Sequence, residues 1–91
     1  MKHATATALV RLAVVLRWLR ACPGLKEPRS GVFYLKSRAF LHFHEDPAGL
    51  FADVRAPGDE DFVRLPVNTP AEVLSLMAKV DQGLNRNPIK S

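Results

Sequence analysis

Cysteine is almost absent from this sequence, since Cys22 is the single cysteine among 91 residues. The chain therefore forms no internal disulfide, which excludes the disulfide-rich scaffolds of small secreted proteins and also a zinc ribbon. Long hydrophobic runs are missing as well. The longest unbroken apolar stretch is Leu12–Leu16, far shorter than the ~20 residues of a membrane-spanning helix. We expect a cytoplasmic protein that does not bind to a membrane.

Acidic residues are scarce in the first half of the chain and concentrated in the second. Residues 1–44 contain eight Lys or Arg and one acid, Glu27, whereas residues 45–81 contain eight acids and three bases. The net charge of the whole chain is +4. A nucleic-acid-binding protein usually concentrates positive charge on one face without an acidic half of similar size. The pattern favours two halves that neutralise each other within one fold or between two copies.

Two helices are predicted, one near each end of a single α+β domain of residues 1–91. Leucine, alanine and arginine at helical spacing predict a first helix over about 6–22, which ends at Pro23. Thr69-Pro70-Ala71-Glu72 has the pattern of a capping box with proline at the first helical position. It predicts a second helix over about 70–83. We expect both helices to cover the same face of a sheet.

The predicted first helix has two apolar stripes, although one stripe would be enough to cover a core. The second stripe consists of Val10, Val14 and Trp18. Two interpretations stay open: this stripe is buried beneath other parts of the same chain, or it contacts another subunit through Val14 and Trp18. Binding to a membrane surface is disfavoured, because the arginines of the helix do not form one polar face.

Between the helices, alternating apolar residues and short turns predict a four-stranded antiparallel meander. The strands are expected at about 31–36, 40–45, 50–55 and 62–67. A register that keeps apolar residues together pairs Phe33 with Phe43, Leu41 with Val54 and Val54 with Val63. The same register places Tyr34, His42, Asp53 and Arg64 in one row on the opposite face.

This opposite face is the predicted binding surface. It carries aromatic and histidine side chains, which are typical of interfaces rather than of solvated sheet faces. Its candidate residues are Tyr34, Phe40, His42, His44, Phe51, Asp53, Phe62 and Arg64, with Trp18 of the first helix as a further contact residue.

We expect a non-enzymatic protein, without a cofactor, that forms a homodimer or binds a protein partner through this face. Neither a phosphate-binding glycine loop nor a nucleophile beside His42 is present to suggest catalysis. One alternative is a nucleic-acid-binding module, because aromatic residues among Arg and Lys on a sheet can stack single-stranded bases. A third is a metal-dependent or hydrolytic site at His42, His44 and Asp53, since two imidazoles and a carboxylate are typical metal ligands.

Two short stretches also resemble a known family. Pro23-Gly24-Leu25-Lys26-Glu27 and the segment from Phe33 to Leu41 are similar to the MmcQ/YjbR-like family, which has a Pro-Gly-apolar start before an aromatic strand, a basic turn and a second strand. The segment from Phe33 to Val54 also looks like the small domain labelled "luciferase" in fungal and bacterial proteins. The likeness covers about a third of the chain. The first resemblance implies DNA binding, on fold grounds, and neither implies catalytic residues.

Overall fold

A computed structural model describes residues 2–3, 12–55 and 59–84 of the chain. These residues form an α+β structure, as predicted. No helix among them is long and apolar enough to cross a membrane. The elements in chain order are β1 Lys2–His3, α1 Ala13–Arg20, β2 Leu25–Arg29, β3 Val32–Leu35, β4 Arg38–Asp46, β5 Gly49–Val54, β6 Val63–Pro66 and α2 Pro70–Gly83.

The sheet has more strands than the four that were predicted. Its strand order is β2-β3-β4-β5-β6 with every pair antiparallel, and the two-residue β1 pairs with β4 at Glu45 and His44. Strand β2 lies in a segment for which no strand was predicted. Its charged residues and Pro28 conceal any alternation, and proline is compatible with a strand here because β2 is at the edge of the sheet.

The predicted register of the first hairpin is wrong. Phe33 pairs with Leu41 rather than with Phe43. The cause is a two-residue turn at Lys36 and Ser37, whose φ angles are 54° and 67°. Positive φ at both central residues is the mark of the type I′ turn, which joins two strands more tightly than the predicted loop.

Phe40 is the extra residue of a bulge in β4. Along the hairpin the pairing steps from Phe33 with Leu41 to Tyr34 with Ala39, so β4 contains one more residue than β3 at this point. A bulge re-aims the side chain of its extra residue, and Phe40 is only 1% exposed. The prediction that Phe40 lies on the binding surface is therefore wrong, because the bulge turns it into the core.

The other two hairpins have the predicted register. Strands β4 and β5 pair His42 with Asp53, and β5 and β6 pair Asp53 with Arg64. Apolar residues that alternate with these polar ones, such as Phe43 and Val54, are buried. The alternation was clear enough here to determine which residues face each other.

The two helices match the prediction to different degrees. Helix α2 spans Pro70–Gly83, the predicted range, and its capping box is formed: Thr69 Oγ1 accepts from the Glu72 N–H at 3.1 Å, and Glu72 Oε1 accepts from the Thr69 N–H at 3.2 Å. Helix α1 spans Ala13–Arg20. The part of its prediction before Leu12 lies outside the described residues.

Both helices contribute side chains to a buried core that they share with the sheet. This cluster includes Val15, Leu16 and Leu19 of α1, Leu76 and Val80 of α2, and Phe33, Phe40, Leu41, Phe43, Ala52 and Val54 of the sheet. Sheet residues that alternate with these core residues have their side chains on the other side of the sheet, which we call the outer face.

Candidate binding site on the outer sheet face

A row of directly paired residues crosses the outer face from edge to edge. It consists of Arg29, Val32, His42, Asp53 and Arg64, one from each strand from β2 to β6. The predicted row had Tyr34 in the place of Val32, which is wrong because of the shifted register of the first hairpin. Tyr34 lies in the neighbouring row and pairs with Lys26 of β2.

Asp53 is the centre of this row and is only 8% exposed. Arg64 donates from Nε to Oδ1 of Asp53 at 2.9 Å and from Nη2 to Oδ2 at 3.1 Å. Nε2 of His44 lies 2.7 Å from the same Oδ2. Both carboxylate oxygens are thus hydrogen-bonded, which is what a buried anion requires.

The hydrogen bond between histidine and Asp53 comes from the diagonal neighbour. His42 lies directly opposite Asp53, as predicted, but the hydrogen bond to the carboxylate that the structure shows is made by His44. Diagonal neighbours on an antiparallel sheet are within reach of long side chains. The ring of His42 instead lies edge-on to the ring of His44, with 4.5 Å between the centroids, and to the ring of Phe62, at 4.9 Å.

Electrostatics keep Asp53 ionised. Burial acts to raise the pKa of its carboxyl group, but the hydrogen bonds from Arg64 and His44 act in the opposite direction and the pKa is lowered overall. The hydrogen bond to Asp53 also raises the pKa of the Arg64 guanidinium. The centre of the outer face is therefore an ion pair at neutral pH rather than a neutral carboxylic acid.

A second group of contacts fixes the aromatic part of the face. The guanidinium of Arg55 lies 4.7 Å from the centroid of the Phe62 ring, within the range of a cation–π interaction. Arg55 Nη2 also donates to the carbonyl oxygen of Ala39 at 3.1 Å. These bonds hold Arg55 and Phe62 beside His42 before any partner binds.

The remaining predicted contact residues divide between the two sides of the molecule. Tyr34 and Phe51 are half-buried on the outer face, where they were expected. Trp18 of α1 is half-buried and packs against the core, so the structure does not bring it to this face. Its neighbour in the second apolar stripe, Val14, is 70% exposed, and Val10 lies outside the described residues.

Lys26 and Arg29 of β2 are outer-face residues that the sequence reasoning missed. Both are exposed and are paired with Tyr34 and Val32. Together with Lys36 they line an open cleft of about 770 Å³ along β2 and β3. The sequence contained a signal for strand β2, because Ser-Gly at 30–31 is a two-residue turn of the kind that joins hairpin strands.

Three side chains of the outer face could hold a metal ion. One nitrogen from each of His42 and His44 and one carboxylate oxygen of Asp53 lie within 4.8 Å of one another. Two imidazoles and a carboxylate form a donor set that zinc and related divalent ions accept.

The geometry of the outer face is the basis on which a function can be proposed. Comparison of the chain with known proteins finds no matching family model, no matching curated protein and no matching solved structure.

Proposed function

We propose that this chain is a non-enzymatic binding protein and that its outer face binds single-stranded nucleic acid. The observation that carries the proposal is strand β2, which adds the exposed cations Lys26 and Arg29 beside Tyr34. Cations next to aromatic rings on a sheet are the combination with which proteins hold a phosphate backbone and stack its bases. The resemblance to the MmcQ/YjbR-like family implies a related partner and stays a prediction.

The charges of the outer face support an anionic partner. Among the described residues, its basic residues are Lys26, Arg29, Arg55 and Arg64, with Lys36 in the adjoining turn, and its acidic residues are Asp46 and Asp53. One of the two acids is already bonded to Arg64. The excess of positive charge attracts a polyanion. It also opposes the face-to-face dimer that the sequence suggested, because two such faces would repel each other.

The aromatic rings favour single strands over duplexes. Tyr34, Phe51 and Phe62 are half-buried, so none of these residues is enclosed in the core. A base can stack on such a ring only after it leaves its own helix, and each stacked base contributes about 1–3 kcal/mol. Phe62 and His42 are already held by ring contacts, which reduces the entropy lost on binding.

Fluorescence anisotropy with labelled single-stranded DNA and RNA oligonucleotides tests the proposal. We expect Lys26→Gln and Arg29→Gln each to weaken binding at low salt and to reduce the slope of log K against log salt by about one. Tyr34→Ala should weaken binding about tenfold without changing this slope. Lys79→Gln is the matched control, because it removes the same charge from α2, where Lys79 lies 3.9 Å from Asp59.

Two results would overturn the proposal. One is the absence of saturable binding to any single strand at low salt. The other is an equal loss of affinity in Lys79→Gln and Lys26→Gln, which would show that only the net charge of the chain matters. Tighter binding to duplexes than to single strands would contradict the role of Tyr34, because paired bases cannot stack on it.

Self-association is a second candidate function, supported by a different surface. Val14 of α1 and Leu74 of α2 are 70% and 65% exposed and border an apolar cleft of about 520 Å³ between the two helices. Exposed aliphatic side chains around such a cleft are typical of a subunit interface. Light scattering should then give a mass above 10.1 kDa that Val14→Asp lowers and Phe51→Asp does not. If light scattering gives the mass of a single chain for the wild-type protein at high concentration, self-association is excluded.

A further inference from the structure

We infer that His42, His44 and Asp53 form a site for a divalent first-row transition-metal ion, with zinc as the best-fitting common ion. The site does not depend on the proposed nucleic-acid binding, because all three ligands come from one chain and its affinity for metal can be measured without any nucleic acid.

The three side chains are near enough to one another to share one ion after they move. The three ligand atoms lie within 4.8 Å of one another. Zinc bonds to imidazole nitrogen and carboxylate oxygen are about 2.0–2.2 Å long, so two ligands of one tetrahedral ion are about 3.3 Å apart. His44 Nε2 and Asp53 Oδ2, now 2.7 Å apart, would open slightly, and the His42 ring would turn toward them.

The backbone that carries the ligands is well fixed. His42 and His44 are two residues apart on β4, and therefore on the same side of the sheet. Asp53 lies directly opposite His42 on β5. Both strands are inside the sheet, and their inward-facing neighbours Phe43 and Ala52 are at most 1% exposed. Ligands on strands held in this way need little ordering when an ion binds.

Arg64 has two opposing effects on the site. A metal ion bound at Oδ2 of Asp53 would replace Arg64 Nη2, while the bond from Nε to Oδ1 could remain and orient the carboxylate. The positive guanidinium would at the same time repel the ion. The Arg64 side chain is 45% exposed, so it can move into solvent. We therefore expect Arg64 to weaken metal binding without preventing it.

The donor set also selects the kind of ion. Imidazole nitrogen favours zinc, copper, nickel and iron, whereas magnesium and calcium prefer oxygen ligands only. Three protein ligands leave one position of a tetrahedral ion for water or for an external group. The site is therefore expected to resist competition by magnesium.

A zinc titration of the untagged full chain, freed of metal with a chelator and read out with a chromogenic competitor, tests the inference. We expect one zinc ion per chain. His42→Gln, His44→Gln and Asp53→Asn should each weaken the affinity more than about tenfold, since even the loss of an outer-shell partner costs about 10–100-fold. Arg64→Gln should increase the affinity. Glu60→Gln, which changes an exposed loop carboxylate, should leave it unchanged, and excess magnesium should not compete.

The wild-type chain provides a readout that does not depend on how the variants fold. Stoichiometric zinc should shift the imidazole nitrogen resonances of His42 and His44 together in NMR spectra, and cobalt should give the ligand-field absorption of a four- or five-coordinate site. Zinc bound at less than one ion per chain, or resonance shifts confined to one of the two histidines, would overturn the inference. Unchanged affinity in a folded His44→Gln variant would do the same.

Discussion

Replacing Glu27 with glutamine removes the charge that joins the edge strand β2 to α1. Arg20 donates from Nε to Oε1 of Glu27 at 2.7 Å and from Nη2 to Oε2 at 2.9 Å. The N–H of Gly31, in the turn that leads to β3, donates to the same Oε2 at 3.0 Å. Glu27 thus joins the strand that carries Lys26 and Arg29 to α1 and to the turn before β3, and its loss should loosen this edge of the sheet.

The expected cost of Glu27→Gln is about 1 kcal/mol of unfolding free energy. Hydrogen bonds to a charged group contribute about 1.5–3 kcal/mol when they are well shielded. Here Arg20 is 49% exposed and Glu27 is 19% exposed, so solvent screening reduces the ion pair toward the ~1 kcal/mol of surface pairs. Glutamine can still accept one of the bonds through its own Oε1. For a chain of this size the loss corresponds to a decrease of about 4–8 °C in Tm.

The effect should depend on pH in a definite direction. The hydrogen bonds from Arg20, which outweigh the opposing effect of burial, together with the bond from Gly31 lower the pKa of the Glu27 carboxyl group. A lowered folded-state pKa gives stability that is present above the unfolded-state pKa of about 4.3 and is lost as the pH falls through the folded-state value. The difference between wild type and Glu27→Gln should therefore be full at neutral pH and should shrink as the pH falls below about 4.

Urea denaturation of both proteins at a series of pH values measures this difference. Glu60→Gln is the matched control, because it makes the same substitution at an exposed position. A difference between wild type and Glu27→Gln that stays constant over the whole pH range would refute the reasoning, since the substitution would then act through something other than the carboxylate charge. No loss of stability at neutral pH would show that the bonds from Arg20 contribute nothing.

Two further predictions concern the capping box and the bulge. Thr69→Ala should lower the unfolding free energy by about 1 kcal/mol, because the N–H of Glu72 loses its acceptor; an unchanged Tm would mean that α2 begins elsewhere. Phe40→Ala should cost about 3 kcal/mol in urea denaturation, because it opens a cavity in the core, and a cost below about 1 kcal/mol would contradict the inward position of Phe40.

The sequence was informative where apolar and polar residues alternate without interruption. Around the pair His42 and Asp53, apolar residues flank each polar residue on both strands, and a shift of one residue would expose buried side chains such as Phe43, so the register is determined. In the first hairpin, alternation does not determine the register in this way. Its turn at Lys36 and Ser37 contains neither glycine nor asparagine, the usual marks of a type I′ turn, and the bulge at Phe40 then shifts the alternation by one residue.

The sequence predicts on which side of the sheet the residues of the candidate site lie, but not which hydrogen bonds they form. Alternation placed His42, His44, Asp53 and Arg64 on one side of the sheet, and the structure agrees. Which histidine bonds to Asp53 depends on the relative rotation of β4 and β5 and on the space beside Phe62. A register derived from the sequence describes neither of these. Strand β2 was missed for another reason: its charged residues and Pro28 conceal any alternation.

The distribution of charge connects the fold with the proposed function. We expected the basic first half and the acidic second half to neutralise each other. Among the described residues, the ion pairs Arg20–Glu27, Arg64–Asp53 and Lys79–Asp59 each lie within one half, whereas the contact between His44 and Asp53 joins the two halves. Lys26 and Arg29 of the basic half stay exposed on β2. Because β2 pairs with β3, the positive charge of these two residues lies close to Tyr34, where the proposed nucleic-acid strand would need it.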